Sequence, residues 1–73
     1  MALFRSRNQA LTTEEADAAR DAGNWERAKV GYERFLAASP GRYDIWVQLG
    51  HARKELGDLF GAEVAYRQSL TLN

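Results

Sequence analysis

The side chains able to do chemistry are few in this sequence. His51 is the one histidine and cysteine is absent, so neither a thiolate zinc site nor a thiol nucleophile can be assembled. Asp44 and Glu55 lie near enough in sequence to hydrogen-bond His51, but a lone imidazole with neighbouring acids makes no general-base or metal constellation of familiar type. Gly57 and Gly61 flank Asp58, Leu59 and Phe60. A phosphate-cradling loop needs a strand before it and a Lys-Ser or Lys-Thr pair after it, and this pattern has neither. Trp25, Tyr32, Tyr43, Trp46 and Tyr66 are not set among clustered Arg and Lys, which suits packing rather than base stacking. These residues argue against an enzyme and imply no cofactor or metal; they favour a surface that holds polypeptide.

Charge and length narrow the classes further. Ten basic and ten acidic side chains cancel and are interleaved, so the broad positive field that draws nucleic acid or anionic lipid is missing. Met1 to Arg7 joins Leu3 and Phe4 to Arg5 and Arg7, an apolar run too short for a secretory leader. Nothing approaches a membrane span. A cysteine-free helical chain is expected in a reducing cytoplasm. The 73 residues suffice for one small domain, preceded by a segment, residues 1–8, expected to be flexible.

What positions the surface is an internal repeat. Sliding the chain by 34 residues aligns Ala18 with Ala52, Gly23 with Gly57, Ala28 with Ala62, Val30 with Val64, Tyr32 with Tyr66 and Leu36 with Leu70. Leu11/Ile45, Arg20/Lys54, Asp21/Glu55 and Asn24/Asp58 are conservative pairs in the same register. A repeat of this length is the signature of stacked supersecondary units. Residues 9–40 form the first unit and 41–73 the second.

Each unit reads as helix, tight turn, helix. Ile45, Leu49, Ala52 and Leu56 fall at i, i+4, i+7 and i+11, one apolar stripe. Gly57 then offers a left-handed terminus and Asp58 an N-cap for the next helix, whose face is Leu59, Ala62, Tyr66, Ser69 and Leu70. In the first unit Thr12 with Glu15 has capping-box spacing. Gly23 and Asn24 supply the stop and restart; Trp25, Ala28, Tyr32, Phe35 and Leu36 form the facing stripe; and Ser39, Pro40 and Gly41 break the chain. The first helix is thin in apolar mass, with Ala10, Ala16, Ala18, Ala19 and Ala22. It is expected to be the least protected. Gly50 and Ala16 share a register position, as do Ala62 and Ala28, and small residues there imply close helix crossings. No segment alternates with period two, so the fold class is all-α.

The second unit resembles the tetratricopeptide repeat: Trp46, Leu49, Gly50, Ala62 and Tyr66 match its pattern, while Arg53 stands for Tyr and Ser69 for Ala. The first unit is a degenerate copy in which Ala28, Tyr32 and Pro40 agree and Thr12, Glu15 and Ala16 depart. The resemblance covers residues 9–73 and implies two antiparallel hairpins stacked as a short right-handed solenoid. Trp46 to Leu72 is also loosely similar to repeats placed ahead of catalytic domains in bacterial glycosyltransferase-like proteins.

Two surfaces follow as expectations. Carried over by motif position, a concave peptide-binding face would hold Asp44, Val47, His51 and Lys54 with Ala10, Thr13, Asp17 and Arg20. The spacing of 44, 47, 51 and 54 independently makes one stripe. The carboxylate clamp of some family members is not expected, because Thr13, Asp17 and Gln48 occupy its positions. The second surface is an uncapped C-terminal edge, with Val64, Tyr66, Leu70 and Leu72, since a solenoid's terminal unit needs a polar cap. The expected partners are a protein or peptide on the concave face, or another copy of the chain or an attached domain on the edge.

Overall fold

The apolar periodicities become four helices in the computed structural model, which describes residues 12–73: α1 (Glu14–Asp21), α2 (Trp25–Ala38), α3 (Tyr43–Glu55) and α4 (Leu59–Leu72). The described residues contain no strand, so this part of the chain is all-helical, as the absence of period-two alternation implies. The expectations for residues 1–8, Ala10 and Leu11 lie outside the described residues.

Both hairpins turn on the same device. Gly23 and Gly57 have φ of 79° and 88°, the left-handed region that costs an L-residue its Cβ clearance. Asn24 N–H reaches Ala19 O at 2.7 Å and Gly23 N–H reaches Arg20 O at 2.9 Å; Asp58 to Arg53 and Gly57 to Lys54 repeat this at 2.9 and 2.9 Å. These are two Schellman motifs, each closing the last carbonyls of a helix. The next helix starts at once: Asn24 Oδ1 accepts from Arg27 N–H at 3.2 Å, and Asp58 Oδ1 from Gly61 N–H at 2.9 Å. A side chain at Gly61 would collide with the Asp58 carboxylate, which accounts for that glycine inside α4.

The start of α1 differs from the capping-box expectation. Thr13 is the N-cap, one residue later than Thr12, and its side chain makes no cap bond. Thr12 Oγ1 instead accepts from Glu14 N–H at 3.3 Å, and Thr13 Oγ1 donates to Asp17 Oδ2 at 3.1 Å. Spacing alone had fitted Glu15 to the box, but the Asp17 carboxylate captures the neighbouring hydroxyl.

Consecutive helices pack on each other, α1 on α2, α2 on α3 and α3 on α4. One cluster runs through them, with Tyr32 and Leu49 its largest fully buried side chains. Trp46 packs against it and donates Nε1–H to Pro40 O at 2.8 Å, tying the interhairpin turn down. Small residues set the crossings: a Cβ on Gly31 would meet the Ala16 Cβ at 2.7 Å, and one on Gly50 would meet Tyr66 Cε1 at 2.6 Å.

Two stripes need correction. Leu56 lies past the end of α3 as its C-cap and is exposed. On α4 the buried face is Ala62, Ala65 and Ser69, with Tyr66 half-buried, whereas Leu59 and Leu70 are exposed. A contact face built from small side chains draws α4 close to α3, and the large residues at its margin are left beyond α3's reach. None of the described helices is long and apolar enough to cross a membrane.

The crossing of α1 over α2 is open to test. Gly31→Ala gains about 1 kcal/mol of helix propensity but must push Ala16 and its backbone away, an overpacking cost of about 1–3 kcal/mol. We expect a net loss of about 1 kcal/mol in urea unfolding, while Gly41→Ala, with nothing within 4 Å of the added Cβ, should change stability by less than about 0.5 kcal/mol.

Candidate functional site

Of the first-hairpin members of the concave set, Thr13, Asp17 and Arg20 are engaged inside the molecule. Tyr32 on α2 is 0% exposed, and a buried phenol needs a hydrogen-bond partner. Its hydroxyl donates to Asp17 Oδ1 at 2.7 Å and accepts from Arg20 Nη1–H at 3.4 Å. Arg20 extends the set to the second hairpin by donating to Gln48 Oε1 on α3 at 3.1 Å, and its Nη2 lies 2.9 Å from Asp21 Oδ1. With the Thr13 hydroxyl on Asp17, one polar network spans α1, α2 and α3. Thr13, Asp17 and Arg20 are all half-buried. Burial, then the hydrogen bond to Asp17, pushes the Tyr32 phenol well above the ordinary tyrosine range. The Arg20 guanidinium is raised chiefly by its bond to Asp21.

The α3 members divide. Asp44 pairs in parallel with Arg42, Nε to Oδ1 and Nη2 to Oδ2, both at 3.0 Å, which holds the carboxyl below its ordinary value. His51 stacks on Trp25 of α2, ring centroids 5.4 Å apart and tilted 37°, with Glu55 3.9 Å from Nε2. It therefore covers an interhairpin seam. Val47 and Lys54 are exposed, and among the described residues Lys54 has no ion-pair partner. Geometry thus brings Asp17, Arg20 and Gln48 together with Tyr32, sets His51 on Trp25, and leaves Val47 and Lys54 unengaged among the described members of the expected concave set.

Arg53, at the position where the repeat pattern has Tyr, bridges three helices. From α3 it donates Nη1–H to Gly61 O on α4 at 3.1 Å and Nη2–H to Glu33 Oε2 on α2 at 3.3 Å. Neither the periodicity nor the repeat pattern assigned it a role.

The 34-residue register allows each residue of α4 to be compared with its counterpart on α2. On α2, Leu36 is 4% and Tyr32 0% exposed because α3 lies over them; on α4, Leu70 is 76% exposed and Tyr66 half-buried. Trp25 is half-buried; its counterpart Leu59 is 66% exposed. Leu59, Tyr66 and Leu70 stand at i, i+7 and i+11, on one face. Comparison with protein-family models, curated proteins and solved structures finds no match. Of the expected edge set, Tyr66 and Leu70 belong to this face. Val64 and Leu72 are exposed but lie around the helix from it, and Leu59 was not in that set. The missed signal was the register itself, since Trp25, the counterpart of Leu59, marks the face that receives a helix.

Tyr32→Phe tests the network. Losing the hydroxyl should cost about 0.5–1.5 kcal/mol at neutral pH. Because the folded-state pKa of the phenol is raised, its contribution is whole below the unfolded value of about 10 and is lost as pH rises from there toward the folded value. Urea unfolding across that range should show wild-type stability falling more steeply with pH than Tyr32→Phe.

Proposed function

We propose that the chain is a protein-interaction module without catalytic function, built of two tetratricopeptide-like repeats as a short solenoid, and that it holds a helical segment of another polypeptide. The observation that carries this is the pair Leu36 and Leu70, at one register position, of which the first is buried under α3 and the second is 76% exposed. Surface of that kind, repeated at Leu59 and half-covered at Tyr66, is rarely left to water without a partner, and in stacked repeats each unit buries its face on the next. The occupant is a helix of a separate protein or of a domain joined to this one, so the assembly or docking role is favoured over peptide capture on the concave face.

The concave face is the second candidate because Val47 is 41% exposed on the same helix face as Lys54, which has no ion-pair partner among the described residues. Asp17 and Arg20 already hold Tyr32, His51 stacks on Trp25 and Asp44 is paired with Arg42, which limits what they can offer a ligand.

Site-specific photocrosslinking in the cells that make the protein separates these surfaces. A photoreactive residue at Leu70 should give one discrete adduct that is absent when the residue is at Glu26, a solvent-facing control. An adduct at Val47 but not at Leu70 would move recognition to the concave face. No adduct at either position above the Glu26 background would overturn the interaction role.

A further inference from the structure

We infer that the α4 face selects a helix whose rim carries a carboxylate where α3 carries Arg53; this rests on the α4 face being the docking surface. The template is inside the chain. α3 seats its Ile45, Leu49 and Ala52 stripe in the core shared with α2, and at the rim Arg53 Nη2 meets Glu33 Oε2 at 3.3 Å. Lys29 stands one turn before Glu33 on α2 and is paired with Glu26 at 3.3 Å.

On α4 the charges at these register positions are exchanged: Glu63 stands for Lys29 and Arg67 for Glu33. Arg67 is bonded to Glu63 at 2.8 Å, with its side chain 75% exposed, so it is held on the rim of the Leu59, Tyr66 and Leu70 face. A helix seated on α4 as α3 is seated on α2 brings its Arg53-equivalent residue to Arg67. An arginine there meets like charge, whereas an aspartate or glutamate completes a pair. The occupant is therefore an amphipathic helix with apolar residues at i, i+4 and i+7 and an acid at i+8. It is not a copy of α3, whose residue at that place is Arg53. Rim charges of this sort decide register and partner more than total affinity.

Docking in cis makes the test independent of any unknown partner. Asn73 stands 34 residues after Ser39, so a copy of residues 40–56 joined directly after Asn73 reproduces the connection that delivers α3 to α2. Two copies are compared, one with arginine at the Arg53 position and one with Arg53→Glu in the copy, each on the wild-type host and on Arg67→Glu. Shielding of the Leu70 methyl groups from a soluble paramagnetic probe reports docking, and urea unfolding reports its strength.

On the wild-type host the glutamate copy should shield Leu70 and raise the folding equilibrium constant about twofold to fivefold over the arginine copy, the range of an exposed ion pair. On Arg67→Glu the order should reverse. Equal stabilities in both hosts with Leu70 shielded would overturn the charge rule while leaving helix docking intact. Leu70 unshielded by either copy would overturn both. A dimer of the unextended chain that Leu70→Asp dissolves would make a second copy the occupant and likewise overturn the proposal.

Discussion

Burying the Tyr32 ring completely while keeping its hydroxyl bonded is the constraint around which the two hairpins are arranged. The ring is sealed only because α3 lies over α2, and its hydroxyl is satisfied only because α1 brings Asp17 and Arg20 to the same point. Removing either helix would leave a polar group without a partner or an aromatic face in water, and both are costly. The Arg20 to Gln48 bond then links α1 to α3 directly. A chain this short has a small core, and a network crossing three helices makes the hairpins depend on each other.

The same hairpin occurs twice in different surroundings, and the contrast is what gives α4 its meaning. Tyr32 and Tyr66, and Leu36 and Leu70, share side-chain chemistry and register but not burial. Intrinsic preference therefore does not account for the exposure of Leu70; the neighbour that covers its counterpart does. Arg53 shows how such a neighbour is held, gripping α4 through Gly61 O and α2 through Glu33. The exchange of Lys29 and Glu33 for Glu63 and Arg67 leaves the apolar half of the face in place and inverts its electrostatic half.

Much of the architecture was legible in the sequence because it rests on local rules. The left-handed glycines, the Asn24 and Asp58 caps and the helical periods are each set by a few adjacent residues, and they recur in register. What escaped was tertiary. Thr12 and Glu15 have the spacing of a capping box, but Asp17 takes the Thr13 hydroxyl. Gly31 sits inside α2 because Ala16 of α1 packs against it, a contact no periodicity shows. Asp17 and Arg20 fall where a groove residue should be, and no periodicity shows that a buried phenol one helix away requires them. His51 read as open surface because its stacking partner, Trp25, lies on another helix. The exposed edge was legible only in part: Tyr66 and Leu70 were named, Leu59 was missed, and Val64 and Leu72 lie off the face because α4 is rotated to put Ala65 against the core.

The chain has no cysteine, so a single introduced thiol reports one position cleanly. Labelling rates of Leu36→Cys and Leu70→Cys under native conditions measure directly whether α3 covers on α2 what is bare on α4. The thiol at position 70 should react at nearly the rate of the urea-unfolded chain and that at position 36 at least about a hundredfold more slowly, as expected for opening that costs a few kcal/mol. Equal rates at the two positions would contradict the stacked-hairpin account and with it the assignment of the α4 face.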